Sequence, residues 1–309
     1  MRIRLLVGAL ALVLPIVSIP TAPALSGDNS NNNQIEDNLS SYTGVNAEGY
    51  LGPLRDAIGS SLNSGLFMYA GVPRSGFHAR LDFRGMLVSF GADDRTFEGV
   101  TEDFFGQQQS ETVPTVVGDE RAVLVSNPST GATFTFPGGF NIDRFAMAVP
   151  QLTVGSVMGT EVMARYIAVE TGDAELGDIS LTGFGARHDL AGDLSQSPSL
   201  DMTLIGFWQK LKVGQDFVEA KTLTLGGQVG KKFSILGVYA GLTYDSVSMD
   251  VSYDTDTGGG SKTVDIGFDS KSTAHFTLGG TLGLGFLHLN GEFNQGNQSS
   301  LAFGLGLGL

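Results

Sequence analysis

The chain has 309 residues, no cysteine, 44 glycines and a formal net charge of −14 at pH 7. The lack of cysteine excludes disulfide bridges, thiolate metal sites and a cysteine nucleophile, and the acidic balance disfavours nucleic acid as a partner because phosphate backbones are repelled. With 41% hydrophobic residues the chain is too apolar for an intrinsically disordered protein, and its many glycines suit short strands joined by tight turns.

The N-terminus has the pattern of a secretory signal. Arg2 and Arg4 precede an uncharged apolar run over residues 5–17, and Ala22-Pro23-Ala24 follows as a small-x-small cleavage site. The run is shorter than the ~20 residues that a membrane-spanning helix needs. We therefore predict a signal peptide over residues 1–24, export to the periplasm, and strands rather than helices for any membrane passage.

Two different segments follow the signal. Residues 25–46 are rich in Asn, Ser, Asp and Gly, which predicts a disordered polar leader. Residues 47–66 are predicted to form a short amphipathic helix, with Pro53 near its start and Asn63-Ser64-Gly65 favouring its end, because apolar side chains recur at every fourth position. These apolar positions are Tyr50, Leu54, Ile58 and Leu62.

The first clear strand runs from Phe77 to about Phe90, where apolar and polar residues alternate. Side chains alternate between the two faces of a strand. One face carries Phe77, Ala79, Leu81 and Phe83, and the other carries His78, Arg80, Asp82 and Arg84. A strand of a soluble sandwich also alternates, but titratable side chains opposite an aromatic-rich face favour a wet lumen and a lipid-facing exterior.

Residues 91–146 are interrupted by Pro114, Pro128 and Pro137, and proline is excluded from central ladders. They form either one or two strands with long loops or a segment that folds back over a barrel mouth. Strand patterns then recur at 147–156, 160–169, 177–190, 201–213, 218–230, 234–252, 273–284, 286–294 and 300–309. The fold class predicted for residues 67–309 is an all-β, transmembrane antiparallel barrel of about 10–14 strands, with 12 preferred.

The last strand has large apolar residues at odd positions and only small ones at even positions. The large side chains belong to Leu301, Phe303, Leu305, Leu307 and Leu309. A chain that ends in this way resembles the C-terminal assembly signal of bacterial outer-membrane barrels, although Leu309 replaces the usual Phe. The other face holds Ala302, Gly304, Gly306 and Gly308, and we expect the predicted helix or residues 115–146 to pack against this smooth wall.

Several short sequences resemble an uncharacterised, domain-of-unknown-function family of bacterial outer-membrane proteins. They are Tyr50-Leu-Gly-Pro-Leu, Leu62-Asn-Ser-Gly-Leu, Gly159-Thr-Glu-Val-Met-Ala-Arg-Tyr166, Leu181-Thr-Gly-Phe-Gly-Ala-Arg-His188 and Ala220-Lys-Thr-Leu. The resemblance covers nearly the whole mature chain and implies location and architecture. The leader, helix and barrel are also loosely similar in architecture to the long-chain fatty-acid transporter family, from which no functional residue is carried over.

The candidate lumen-lining residues are the polar members of the inward faces. They are His78, Arg80, Asp82, Arg84, Glu161, Arg165, His288 and Glu292. Charges of mixed sign in a narrow barrel must pair with each other or meet water. These residues therefore either pair across the barrel or line an aqueous path.

The sequence patterns that could indicate a metal site or a catalytic site are weak. Asp254, Asp256, Gly259 and Asp265 match parts of a calcium-loop spacing, but the last ligand is not the bidentate Glu. His188, His275 and His288 lack a Gly-x-Ser-x-Gly elbow nearby and a clear third metal ligand. We expect no enzyme activity, no cofactor and no metal, and an acidic hairpin loop at residues 254–262.

The predicted function is passive or gated passage of a small or amphipathic (hydrophobic) solute through a bacterial outer-membrane barrel. The helix then acts as a cap on the periplasmic mouth or as a plug in the lumen. The expected partners are outer-membrane lipid, the barrel-assembly machinery and the solute. The alternatives are a non-transporting structural or surface-recognition barrel and an outer-membrane hydrolase.

Overall fold

The computed structural model describes Tyr42 and residues 44–101, 108–170, 178–195, 199–214, 217–256 and 261–308. Within these ranges, side chains are described except for residues 253–256, 261, 262, 264, 269 and 270. The predicted signal peptide, the predicted leader before Tyr42, and Leu309 lie outside the described residues. The boundaries between signal, leader and barrel therefore stay predictions.

The strands of the described residues are numbered along the chain. They are β1 (His78–Ser89), β2 (Thr96–Val100), β3 (Ser110–Pro114), β4 (Val123–Ser126), β5 (Thr133–Phe136), β6 (Arg144–Val157), β7 (Thr160–Val169), β8 (Ile179–Asp189), β9 (Asp201–Val213), β10 (Val218–Phe233), β11 (Leu236–Asp256), β12 (Ser261–Leu284), β13 (Leu287–Gln295) and β14 (Ser299–Gly308). Two helices accompany them, α1 (Gly44–Asn63) and α2 (Leu190–Leu194).

Strands β1 and β6 to β14 close into one antiparallel barrel of ten strands, because β1 pairs with β14 on one side and with β6 on the other. Each strand run predicted from the sequence overlaps one of these ten. The run 273–284 covers only the second half of β12, and both ends of the predicted loop 254–262 belong to β11 and β12. The preferred number of 12 is wrong. The described part of residues 90–143 forms two hairpins, β2–β3 and β4–β5, that lie outside the barrel sheet.

The alternation of each strand separates an apolar outside from a mixed inside. Exposed large side chains form a belt around the barrel, which includes Leu81, Phe83, Leu152, Val162, Tyr166, Phe184, Leu204, Leu223, Leu225, Leu242, Tyr244, Phe276, Leu278, Phe293, Leu301, Phe303, Leu305 and Leu307. The intervening side chains point inward because the period of a strand is two. The inside is therefore where the charged residues of the strands are buried.

The two ends of the barrel differ in the length of their connections. At one end, here called the turn end, two residues join β6 to β7, β10 to β11 and β12 to β13, and residues 190–200, which include α2, join β8 to β9. Met158 and Gly159 both have positive φ, as a two-residue type I′ hairpin requires. At the opposite end, here called the loop end, residues 90–143 join β1 to β6.

Helix α1 lies inside the barrel, where it runs inward from the loop end. The helix begins three residues before the predicted start, so Pro53 lies inside the helix rather than near its start. In this first part, Asn46 forms two hydrogen bonds with the backbone of Val100. Its four predicted apolar positions are buried, but so are Gly59, Ser60 and Ser61. The prediction of an amphipathic helix is wrong for the half of α1 that ends at Asn63, because the barrel wall surrounds that half on every side.

Residues 64–77, here called the lumen segment, continue from α1 to the turn end, where β1 begins. The chain therefore crosses the whole lumen before it enters the wall. Gly65 has a φ of +70°, the left-handed conformation that commonly follows the end of a helix. No helix of the described residues is long and apolar enough to cross a membrane.

The described residues of 90–143, here called the loop-end assembly, cover the entrance above α1. The backbone N–H of Val116 donates to the carbonyl of Tyr50 at 2.9 Å, and the Tyr50 hydroxyl donates to the carbonyl of Gly138 at 3.0 Å. Phe97 and Phe136 pack around Tyr42. Of the two alternatives for this part of the sequence, the structure has the segment that folds back over the mouth.

Candidate functional site: a plugged lumen

All eight predicted lumen residues lie on the inward face of the wall. Arg80, Asp82, Arg84, Glu161, Arg165 and Glu292 are buried, and His78 and His288 are partly buried. The structure brings most of them against the lumen segment rather than against open water. Their role in lining a solute path stays a prediction.

The guanidinium of Arg165 holds the end of α1. Its Nη1 donates to the carbonyl oxygen of Leu62 at 2.9 Å, and its Nη2 donates to those of Ser64 and Gly65 at 3.0 and 3.1 Å. Its Nε donates to the side-chain oxygen of Gln151 at 2.8 Å. A cation is favourable at this place because the last carbonyls of a helix lack intrahelical partners and carry partial negative charge.

Glu292 and Arg84 hold the start of the lumen segment. The Glu292 carboxylate accepts from the backbone N–H groups of Gly65 at 2.9 Å and Met68 at 3.1 Å, and from the Tyr239 hydroxyl at 2.8 Å. Arg84 donates through Nε and Nη2 to the Gly65 carbonyl at 3.0 and 2.6 Å and lies 3.4 Å from Glu292. The wall thus binds both the N–H and the C=O of Gly65.

Tyr69 lies between two arginines in the turn-end half of the lumen. The guanidinium carbon of Arg187 is 4.3 Å from the ring centroid, and that of Arg80 is 5.1 Å away. The Tyr69 hydroxyl donates to Glu161, which also lies 3.1 Å from Arg187 Nε and 3.1 Å from His78 Nε2. These contacts compensate charges that are costly when buried alone.

The wall also binds the carbonyl oxygens of residues 67–70. Arg187 donates to the first and Thr281 to the second. Nε2 of Gln228 donates to the third and fourth at 2.6 and 2.7 Å. Extended backbone in a lumen must satisfy its polar groups without a neighbouring strand, and here side chains of the barrel do so.

Helix α1 and the lumen segment are together called the plug from here on. The last strand, β14, contacts the plug near its start. Ser300 Oγ lies 2.6 Å from Ser64 Oγ, whereas a Cβ added to Gly304 would overlap the guanidinium of Arg84, and one added to Gly306 would overlap a carboxylate of β1. The expectation that the small-residue wall receives the helix or residues 115–146 is therefore wrong for its glycines. They make room for the charged side chains of neighbouring strands.

A charged clasp fixes the lumen segment at the turn end. Arg74 lies 3.0 Å from Asp189 and 2.7 Å from Asp193, and His188 lies 2.7 Å from Asp193. Hydrogen bonds from His188, and to a smaller extent from Arg74, lower the pKa of Asp193 below its ordinary value. The clasp joins the lumen segment to α2, in the connection between β8 and β9.

A polar cavity of about 10 Å³ lies between α1 and the wall at the loop end, with room for about one water molecule. His275 Nδ1 lies 2.7 Å from Asp245 Oδ2, and Lys271 lies 2.7 Å from Asp56. Within the described residues, His275 Nε2 has no hydrogen-bond partner. Ser60 and Thr273 also line this cavity, and their hydroxyl groups hydrogen-bond to Gln298 and Asn297. The expected non-enzymatic role stays a prediction.

The three histidines singled out from the sequence form no common site. His188 belongs to the clasp, His275 lies beside the cavity at the loop end, and His288 is near the turn end. Within the described residues, no group of three His, Asp or Glu side chains is placed to hold a metal ion. The side chains of Asp254 and Asp256, from the calcium-like spacing, lie outside the described ones.

Sequence reasoning missed much of the set that binds the plug. The missed residues are Gln151, Arg187, Gln209, Gln228, Tyr239 and Thr281. Their strand parity was an available signal, since each has the parity of the inward positions on its strand. Four of these side chains bind the backbone of residues 62–70, and Gln151 and Tyr239 bind side chains beside it. Nothing local in the sequence indicates these contacts.

Comparisons with known proteins give a family and distant structural likenesses. A model of a family of unknown function, DUF6588, matches residues 4–309. The comparison with curated proteins found no match. One similar structure is that of OmpTdeltaL8, a loop L8 deletion mutant of an outer membrane protein of Vibrio cholerae, with 10% identity over 76% of this chain and 98% of that chain and a TM-score of 0.28.

Two further structures are less similar. OccK2 (OpdF) of Pseudomonas aeruginosa has 9% identity over 77% of this chain and 99% of its own, with a TM-score of 0.14. A BenF-like porin from Pseudomonas fluorescens Pf-5 has 10% identity over 76% of this chain and 99% of its own, with a TM-score of 0.13. Similarity this low says nothing about what the barrel carries.

Proposed function

The chain belongs to DUF6588, a family of unknown function, and we propose that it is an outer-membrane barrel whose lumen is a gated conduit for a small polar or amphipathic solute. In the conformation described, α1 and the lumen segment close the conduit. Passage is diffusion along the wall once the lumen segment moves, and no chemistry is involved. Transport of a hydrophobic solute, as for the long-chain fatty-acid transporters, stays an expectation.

The outer wall supports the membrane placement. A barrel with a continuous apolar exterior and no open sheet edge satisfies its backbone in lipid. Aromatic side chains accompany the belt at both ends, with Tyr166, Phe184 and Tyr244 toward the loop end and Phe77, Phe233 and Phe286 at the turn end. Such aromatic bands are typical of the two membrane–water interfaces.

The way in which the wall holds the lumen segment carries the proposal of gating. In the turn-end half of the lumen, hydrogen bonds join Arg84, Arg165, Arg187, Gln228 and Glu292 to the backbone. Water can replace such hydrogen bonds at small net cost. The lumen segment also packs apolar side chains of residues 66–68 against a small apolar part of the wall, so displacement of the segment leaves a mixed wall, charged over most of its length, that suits a polar or amphipathic solute.

A reversible tether tests whether the segment must move. The chain has no cysteine, so the double variant Ser64→Cys/Ser300→Cys places one cysteine on the plug and one on the wall, where the native hydroxyl oxygens are 2.6 Å apart. In planar bilayers we expect conductance steps from the reduced form and none from the oxidised form. A variant that lacks residues 47–64 is expected to give larger steps.

The single variant Ser64→Cys, treated with the same oxidant, is the control and is expected to conduct like the wild type. Equal conductance of the tethered and reduced forms would contradict gating by the lumen segment. A folded barrel that is silent in every form, including the deletion, would contradict a conduit altogether.

The second candidate is a surface-recognition barrel, and the loop-end assembly favours it. Two hairpins packed on the plug provide a formed surface at one end. Removal of the β4–β5 hairpin, residues 122–137, separates the two functions. Conductance that persists without the hairpin favours the conduit, whereas a silent barrel that loses a cell-surface interaction on removal of the hairpin favours recognition.

A further inference from the structure

Three lysines surround one carboxylate on the outer wall at the loop end. Lys210 and Lys212 lie on β9 and Lys221 on β10, and their ammonium groups are 2.9, 3.3 and 2.7 Å from the carboxylate of Glu219. We call these four residues the lysine patch. Their ammonium groups remain partly exposed, with side-chain exposures of 30%, 38% and 44%.

The position of these lysines along the chain is unusual. The sequence has seven lysines, and none of them precedes residue 210. Three of the seven therefore belong to the lysine patch, in a chain whose net charge is −14. Asp250 pairs opposite Glu219 in the sheet and adds a second carboxylate nearby, which leaves a local excess of one positive charge.

The lysine patch lies at the edge of the apolar belt. Lys210 follows Trp208 on the outward face of β9, and the Trp208 ring is 5.1 Å from the ring of Phe184. Leu223, which pairs with Trp208 in the sheet, is exposed. Aromatic residues mark the membrane–water interface, so the lysine patch lies at the level of the lipid headgroups, where lysine side chains place their amines.

Two of the three lysine ammonium groups repel each other unless an anion lies between them. Lys210 and Lys221 are directly opposite each other in the β9–β10 ladder, and like charges in that arrangement destabilise a sheet. Glu219 supplies one negative charge for three positive ones. A phosphate group supplies the missing charge, and the lysine ammonium is a compact point charge that binds phosphate well.

We propose that the lysine patch binds the phosphate groups of a glycolipid in the outer leaflet of the outer membrane. The proposal rests on the membrane placement argued above but not on conduction. It also requires the loop end to face outward, as the longer connections of outer-membrane barrels do. Glu219 is a positioning residue that gathers the three amines. Lipid-bound phosphate is favoured over free phosphate because the apolar belt next to the lysine patch receives the acyl chains of the same molecule.

The test compares variants for binding of purified lipopolysaccharide to the full-length barrel in detergent. We expect Lys210→Gln/Lys212→Gln/Lys221→Gln to lower the affinity about a hundredfold, since each lysine at such a surface contributes about one kcal/mol. The control is Lys231→Gln/Lys232→Gln at the turn end, which is expected to bind like the wild type. Altered electrophoretic mobility on heating reports that each variant is folded.

The variant Glu219→Gln distinguishes a patch that binds glycolipid from an ion cluster that only stabilises the fold. Removal of its negative charge frees the three amines, so glycolipid affinity is expected to be retained or increased. Loss of affinity equal to that of the triple variant would overturn the proposal. Equal loss in the turn-end control would also overturn it.

Inorganic phosphate distinguishes the source of the ligand. At equal phosphate concentration it is expected to displace little glycolipid, and full displacement would overturn the choice of a lipid ligand. Because the readout is lipid binding, a barrel that is silent in bilayers but binds glycolipid refutes only the conduit. A conducting barrel whose triple variant binds normally refutes only this inference.

Discussion

Arginine and lysine occupy different places in this barrel. Arg80, Arg84, Arg165 and Arg187 are buried in the lumen, whereas none of the lysines with described side chains is buried. A planar guanidinium offers five donors and is less strongly hydrated than an ammonium, so it suits sites with several acceptors and little water. Backbone carbonyls of the plug provide such acceptors.

Arg165 is expected to matter most for stability among these arginines. The change Arg165→Met removes the cation from the carbonyl groups of Leu62 and Ser64, whereas the Gly65 carbonyl keeps its bonds from Arg84. We expect the free energy of unfolding to fall by about 3–5 kcal/mol, the range for breaking a buried charge network. The measurement is the unfolding midpoint of the purified protein in detergent. Arg165→Lys is expected to recover little, since one amine cannot reach the same set of acceptors.

Arg121→Met is the matched control, because the Arg121 side chain is 88% exposed and, in the described part of the chain, pairs with Asp119 alone. A surface pair of this kind contributes about 0–1 kcal/mol. If the two variants were equally stable, the bonds from Arg165 to the end of α1 would not be what holds the plug.

Glycine in the closing strand has a steric role that a single substitution can test. A Cβ on Gly304 would overlap Arg84 and Asn290, whereas one on Gly291 in the adjacent strand meets nothing within 4 Å. We expect Gly304→Ala to lower stability by about 1–3 kcal/mol, the usual cost of overpacking, and Gly291→Ala to have little effect. Equal unfolding midpoints would show that the arginine has room to move.

At the scale of elements, the β6–β7 seam differs from the other seams of the barrel. Pairing runs from Val157↔Thr160 to Gln151↔Arg165 and, in the described residues, no further toward the loop end. Pro150 is the next residue of β6 and has no N–H to donate. Residues 166–169 of β7 consequently pair with β8 alone.

Hydrogen exchange tests this seam. Alternate amides of residues 166–169 face β6 without a ladder partner, and we expect them to exchange much faster than amides in the middle of the β10–β11 ladder, where pairing is continuous from Val218 to Phe233. The measurement is amide exchange of the barrel in detergent micelles. Equal protection of the two regions would mean that the seam is closed by pairing that the structure lacks.

At the scale of the whole molecule, the path of the chain fixes a topology. Helix α1 enters at the loop end, and the lumen segment leaves at the turn end to begin β1. Short turns of outer-membrane barrels are periplasmic and longer connections are external. For a barrel in the outer membrane we therefore expect the start of α1 to face the outside of the cell, whereas the cap interpretation places the helix at the periplasmic mouth.

Cysteine labelling of intact cells tests this orientation. Val45 is 73% exposed, and we expect Val45→Cys to react with a membrane-impermeant maleimide in intact cells. Ser234→Cys, in a turn at the opposite end, is expected to react only after the outer membrane is permeabilised. The reverse pattern would invert the topology, and protection of both sites until permeabilisation would contradict the outer-membrane placement.

The sequence alone located a strand run for each of the ten barrel strands, although it favoured a total of 12, and it also predicted their two faces and a helix before them. These features depend on local periodicity, since a strand alternates its side chains whatever lies across from it. The sequence also gave the right residues for the buried charges at β1, because Arg80, Asp82 and Arg84 share one parity. Over residues 91–146 it left two alternatives open, because Pro114, Pro128 and Pro137 interrupt the local patterns.

Only the tertiary structure decided what those buried charges do. Glu292 meets Gly65 across 227 positions of sequence, and Arg165 meets Leu62 across 103. Such contacts depend on the closure of the barrel, the stagger of its strands and the passage of the chain through the lumen, and no local pattern encodes these. The polar faces were therefore predictable from strand periodicity, but the plug that they bind was decided by the three-dimensional path of the backbone.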